Sequence, residues 1–346
     1  MIQRDLFNAE HEAFRDTVRR FIDKEIAPYH ESWEEQGLVP RDLWLKAGAA
    51  GMLCCTVPEQ YGGLGVDYLF DVVVFEEMAR SGFTGPGFLI HCDLVATYIK
   101  SFGTEAQKQQ WLPKMVRGEA IGSLGMTEPH AGSDLKAIRT RAVRDGDDYI
   151  ISGQKVFISN GQLCDVIVLA TKTDSSAGAK GVTLFLVDTS LPGFRRGKNL
   201  KKLGMKGQDT SEMFFDEVRV PASAMLGEEG QGFSLMMTKL AQERLEKNMP
   251  VPGYKLVSKR ATRQWADESK ADAALAQLGI PESERRKIEL ISPAQAEKVL
   301  KKSKLALPDD LVIAVSSGST LAPASDPRPA VLNVGMHLTA ALSKLQ

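Results

Sequence analysis

The chain has 346 residues, 43% hydrophobic and 25% charged, which is room for two or three domains of ordinary globular balance. A net charge of −1 gives the whole chain no electrostatic pull toward nucleic acid or an anionic membrane, so neither is an expected partner. No stretch approaches the roughly 18 apolar residues that a membrane span needs.

That average hides an asymmetry. Residues 247–346 hold 15 Lys plus Arg against 10 Asp plus Glu, a balance of +5, which leaves −6 for the rest of the chain. The two parts read as segments of different origin. The four cysteines, Cys54, Cys55, Cys92 and Cys164, include no CxxC spacing, and the five histidines form no HExxH pair. Free buried thiols in a reducing compartment are expected, and a metal site is not. The opening MIQRDLFNAEHEAF is amphipathic and carries acids, unlike a signal or transit peptide, so a cytoplasmic protein is expected.

Residues 8–26 place Phe14, Val18, Phe21, Ile22 and Ile26 at helical spacing, with Asn8 as N-cap and Pro28 as the stop. A second helix is expected at 40–52, and a glycine-rich turn, PEQYGGLG, at 58–65. Further helices follow at 67–81, 88–102 and 105–117. The character changes at Ile121. From there to about 220, short β-type runs alternate with turn signals: 121–127, 149–159, 165–171 and 181–188, with DGDD and SNGQ as turns. This is the pattern of a small antiparallel barrel or sandwich. Helical character returns after Leu226, with one short helix expected at 231–247. The prolines of NMPVPGY end it. Beyond lie two short amphipathic stretches, 266–278 and 292–303, the second opened by Ser292 and Pro293. Weakly packed helices are expected there, and SSGSTLAPASDPRPA (316–330) reads as a mobile linker.

Two segments carry the chemistry. Leu124-Gly-Met-Thr-Glu-Pro-His-Ala-Gly-Ser-Asp134 leaves a strand, turns at Pro129, and offers small residues, hydroxyls and backbone N–H groups for a close ligand. Taken alone it is also an ordinary polar turn between strands. Gly153-Gln-Lys-Val-Phe-Ile-Ser-Asn-Gly161 sets an aromatic and a hydroxyl on a strand, which by itself is usually core plus edge. Together, at this spacing, the two segments resemble the acyl-CoA dehydrogenase signatures that frame FAD. VPEQYGGLG, EEMARSGFTGPGF, LGMKGQDTSEMFFDEVRVP and LGEEGQGF resemble further family segments in the family's order, over residues 5–245. KVFISNG, residues 85–91 and AQERL (241–245) look most like the long-chain subgroup.

The resemblance implies an α+β chain: an acyl-CoA dehydrogenase-like all-α domain at 1–120, an antiparallel β-barrel flavin domain at 121–228, and the start of a C-terminal helical domain at 229–249. That last domain is truncated or replaced, and 250–346 is an unrelated, partly disordered tail. The resemblance places Leu124, Met126 and Thr127 along the flavin, with Thr127 hydrogen-bonding the ring. It sets Gly132 and Ser133 toward the pyrophosphate, Phe157 on the flavin face away from substrate, Ile158 among the cofactor contacts, and Ser159 donating toward N5. Ser133 and Arg244 touch the acyl-CoA. Glu243 is the base that removes the α-proton. Phe157 stands where many relatives carry Trp, which keeps an aromatic face.

The implied reaction is α,β-dehydrogenation of a medium- or long-chain acyl-CoA, with electrons passed to an electron-transfer flavoprotein. The alternatives are a non-catalytic remnant, a binding module built around the tail, or an acyl-CoA oxidase or flavin monooxygenase on the same fold. The family's later segments have no match after Met249-Pro250, so its homotetramer is not counted on here. The tail faintly resembles the C-terminal part of a phage-associated family of unknown function, through Tyr254, Trp265 and LISPAQAEKVL.

Overall fold

A computed structural model describes residues 6–246, 254–258, 262–265, 268–278, 312–315 and 319–323, with single residues at 296 and 327. The chain forms two compact units, 1–236 and 237–346.

The first unit opens with helices. α1 (Ala9–Phe21) starts as expected at Asn8, whose side chain accepts the Glu10 and His11 amides while the His11 ring accepts the Asn8 amide. This capping box satisfies donors that the first turn leaves unpaired. The helix continues through a wider turn, Ile22–Ile26, and its stripe of Val18, Phe21, Ile22 and Ile26 is buried. α2 (His30–Gln36) follows Pro28 and has no counterpart among the expected helices. Its cap is a left-handed Gly37. α3 (Arg41–Ala49) and α4 (Tyr68–Ser81) stand within the helices expected at 40–52 and 67–81. α5 (Ala96–Phe102), with its lead-in turn Ile90–Val95, and α6 (Glu105–Val116) stand within those expected at 88–102 and 105–117. α1 and α4 are joined across a buried carboxylate. Glu77 accepts from Arg15 at 2.9 Å, from Arg19 at 2.9 and 3.0 Å, and from Arg80 at 2.7 Å.

Eight strands follow: β1 (Gly122–Gly125), β2 (Arg141–Asp145), β3 (Asp148–Ser159), β4 (Val166–Lys172), β5 (Val182–Asp188), β6 (Phe194–Asn199), β7 (Thr210–Pro221) and β8 (Met225–Leu226). They form one sheet in the order β6-β7-β3-β2-β4-β5-β8, with β1 added beside β4. The expected antiparallel barrel is corrected in detail: β1 and β2 each run parallel to β4. β1 enters the sheet from a helix rather than from a hairpin, which frees it to lie parallel. The core of the sheet holds Tyr149, Ile151, Ile158, Ile167, Leu169, Phe185, Val187, Met213, Phe215, Val218 and Val220. Gln107 of α6 donates to the Ser223 and Met225 carbonyls, tying helices to sheet.

α7 (Gly232–Glu246) is the expected helix after the sheet and runs from one unit into the other. In the second unit, α8 (Glu268–Gln277) matches the stretch expected at 266–278. The stretch expected at 292–303 and the Met249-Pro250 break lie outside the described residues, apart from Ala296. Two expectations are overturned here. The second unit is not only helix: β9 (Tyr254–Ser258) pairs with β12 (Ser319–Pro323), and β10 (Thr262–Trp265) pairs with β11 (Val312–Val315). The supposed linker therefore contributes a strand. Its Ser, Thr and Ala content reads as low complexity locally, but extended pairing is decided by a partner 61 to 69 residues away.

Candidate functional site

The two motif segments lie side by side. β1 is pressed against the sheet by its glycines: a side-chain carbon at Gly125 would fall 2.9 Å from Leu169 Cδ1. Past β1 the chain runs beside the end of β3. The Val156 amide donates to the Thr127 carbonyl at 3.0 Å, and Ser123 Oγ donates to the Ser159 carbonyl at 2.7 Å. Leu124, Met126, Thr127, Phe157 and Ser159 are thus brought together on adjacent extended segments.

β3 reaches this place through a bulge. Lys155 pairs with Met213 and Ile158 with Ser211, so one extra residue sits on β3. Phe157 occupies it with a left-handed φ of 59° and is 65% exposed. A left-handed backbone is uncommon for a bulky residue. The bulge turns the ring out while Ile158 stays in the core at 2% exposure, so any contact Ile158 makes with a ligand is left to its main chain. Leu124, Met126, Thr127 and Ser159 are half-buried.

The turn after Thr127 is closed by reciprocal amide bonds between Glu128 and Ala131. Gly132 and Ser133 then lie exposed, and a side-chain carbon at Gly132 would meet no atom within 4 Å. The backbone there is open to a close ligand. Hydroxyl and amide donors, small residues that admit a close approach and an outward aromatic on these neighbouring segments are what a flavin ring and its pyrophosphate require, and the residues present fit that group.

Sequence reasoning missed what supports this surface. Lys155 and Glu128 form a buried ion pair at 2.8 Å. The signal was present: counting by two from Tyr149 and Ile151 puts Lys155 on the inward face. Asn160, also left-handed at φ 59°, donates to the Gly87 and Gly122 carbonyls and so fastens the helical part to β1. His91 accepts the Gly122 amide at Nδ1 and bonds the Met115 carbonyl through Nε2. Burial lowers its pKa to about 4. Cys54, His91 and Cys92 are, among the described residues, a group whose potential ligand atoms lie within 4.8 Å of one another. Both His91 nitrogens are already committed to backbone, and burial drives the Cys92 thiol well up, so the group has the chemistry of core side chains.

Glu243 and Arg244 lie on α7 within residues 237–346, and their side chains fall outside the described residues. Among the described residues no helix is long and apolar enough to cross a membrane.

Comparison with known proteins gives three family matches. Residues 8–119 match the acyl-CoA dehydrogenase N-terminal domain and residues 123–218 its middle domain. Residues 230–329 match a protein family of unknown function, DUF2800. Rat mitochondrial long-chain specific acyl-CoA dehydrogenase is 50% identical over 244 residues, which are 70% of this chain and 57% of that protein. An acyl-CoA dehydrogenase from Geobacillus kaustophilus superposes with a TM-score of 0.68 at 49% identity, covering 70% of this chain and 64% of that one. A glutaryl-CoA dehydrogenase from Mycobacterium smegmatis, solved with FADH2, gives 0.62 at 35% identity, covering 69% and 61%. The chain thus spans about three-fifths of the length of the relatives it matches. Its two front matches adjoin in the family's own order and together take up most of the chain, whose residues 8–218 belong to the acyl-CoA dehydrogenase family, a family of FAD-dependent oxidoreductases.

Proposed function

We propose that this chain is an FAD-dependent acyl-CoA dehydrogenase acting on a medium- or long-chain fatty acyl-CoA. It gives the trans-2-enoyl-CoA and passes electrons to an electron-transfer flavoprotein. The observation that supports this best is the meeting of Leu124, Met126 and Thr127 with Phe157 and Ser159 through the Val156–Thr127 and Ser123–Ser159 hydrogen bonds. The half-identity to the rat long-chain enzyme supports the chain-length preference.

FAD, when bound, supplies the hydride acceptor. In this reading the protein positions and polarises. Thr127 hydrogen-bonds the ring, Ser159 donates toward it, and Leu124, Met126 and Phe157 keep water from its faces. Gly132 and Ser133 let backbone N–H groups approach the pyrophosphate. Ser133 and Arg244 contact the acyl-CoA, and Glu243 takes the α-proton, a task that calls for a base in a dry pocket. The domain division at 120, 228 and 249 belongs to the same proposal. So does a cytoplasmic location, supported by four free, buried thiols.

One observation favours a second reading, a non-catalytic remnant: after α7 the chain enters the paired strands β9 and β12 rather than more of the family's length. The visible spectrum separates the two. Purified chain with added FAD should show a bound-flavin band that bleaches anaerobically with a long-chain acyl-CoA. A colourless chain that takes up no FAD sinks the enzyme reading.

A further inference from the structure

We infer that Lys155, together with Glu128, is a positioning residue that fixes the peptide units on both sides of Thr127 and so sets the flavin-facing edge. This rests on the flavin reading above. Lys155 Nζ donates to the Met126 carbonyl at 3.1 Å and to Glu128 Oε1 at 2.8 Å. The next residue, Val156, donates its amide to the Thr127 carbonyl. Residues 126, 127 and 128 are therefore each held by Lys155 or its neighbour. Glu128 in turn accepts the Arg139 amide at 2.6 Å and the Thr140 amide at 3.0 Å, which anchors the far end of the Gly132–Ser133 loop. One buried pair thus spans the whole motif, from the residue before Thr127 to the two residues that lead into β2.

The side chains are 0% and 1% exposed. Two charges removed from water in this way are a poor source of stability, because desolvation takes back most of their attraction. Burial lowers the Lys155 pKa to about 8 despite the carboxylate beside it. An apolar side chain would fill the same space and pack well. It would not hold the Met126 carbonyl. Lysine is a compact donor with more than one N–H to give, and it can grip a carbonyl and a carboxylate at once. The same position in the alternation of β3 that puts Tyr149 and Ile151 in the core delivers that ammonium beneath the motif.

The test compares the unmutated chain with the charge-neutral double variant Glu128→Gln/Lys155→Met. Two quantities are read: FAD affinity by flavin fluorescence titration, and the thermal midpoint without FAD by circular dichroism. Positioning predicts that the double variant melts within a few degrees of the parent, since no unpaired charge is buried, yet binds FAD at least tenfold more weakly. A double variant that binds FAD within twofold of the parent overturns the inference and leaves the flavin reading standing. A parent that takes up no FAD overturns the flavin reading, and the inference with it. Should the double variant not fold, Lys155→Arg decides: it keeps a charge for Glu128 but replaces the compact ammonium with a planar fork. FAD weakened severalfold at an unchanged midpoint supports positioning, and parent-like affinity overturns it.

Discussion

His91 carries both of its ring bonds to main chain, at Gly122 and Met115, and is wholly buried where the helices meet β1. It folds as the neutral imidazole. In the unfolded chain it titrates near the ordinary value, while in the fold burial holds it at about 4. The unfolded state therefore binds more protons between those two values, and stability falls as pH drops from about 6.5 to 4. The shift corresponds to about 3 kcal/mol at most. Asp71 and Asp209, both raised by burial, work in the opposite direction, because in the fold they take up protons at higher pH than when unfolded. The clean measurement is a difference: thermal midpoints from pH 7 to 4.5 for the parent and for His91→Gln. The parent should lose more stability than the variant, and parallel curves would refute the assignment. Histidine's role was not legible from sequence. One imidazole among apolar neighbours says only that it is satisfied, and the bonds that satisfy it come from residues 24 and 31 positions away.

At the scale of elements, local signals read well where structure is local. The capping residue Asn8, the periodicity of α1 and the turns on either side of β3 are written within a few residues of where they act. Pairing is not. The bulge at Phe157 depends on the register of β3 against β7, and β12 on its match with β9, so neither left a local mark. Two joints between elements can be tested directly. A side-chain carbon at Gly87 would lie 1.8 Å from Asn160 Oδ1, so Gly87→Ala should displace Asn160 and weaken its bonds to the Gly87 and Gly122 carbonyls. The expected cost is about 2–3 kcal/mol, from overpacking plus buried carbonyls left unpaired, read by urea denaturation. A cost below about 0.5 kcal/mol would mean the joint adjusts freely. The α1–α4 joint turns on Glu77. Burial opposes its charge, but Arg19, Arg15 and Arg80 prevail and hold it at about 2. Its stabilising share is present above the ordinary carboxylate range and is lost as pH falls through about 2. Glu77→Gln should cost about 2 kcal/mol at pH 7, between a buried and an exposed pair because Arg19 and Arg80 are solvated, and much less in acid.

For the whole molecule, the residues proposed to face the flavin, from Leu124 to Ser159, lie in the unit 1–236, and the proposed base lies in 237–346. That division makes cofactor binding and proton abstraction separable by experiment. Thr127→Ala removes a hydroxyl from the proposed ring contacts, so it should weaken FAD uptake and shift the flavin absorption band. Glu243→Gln should leave FAD affinity and the resting spectrum as they are. Anaerobic bleaching by a long-chain acyl-CoA, followed in a stopped-flow spectrometer, should slow by about 10²–10⁴-fold, the range a positioned general base supplies. The second unit carries a match to a family other than that of the first, and it holds strands that a continuing helical bundle would not. If bleaching is fast in the parent and lost in Glu243→Gln, α7 delivers its glutamate without the length the relatives possess. If the parent binds FAD but bleaches no faster than Glu243→Gln, cofactor recognition has been kept by the first unit alone, and the reaction has been lost with the missing part of the family's frame.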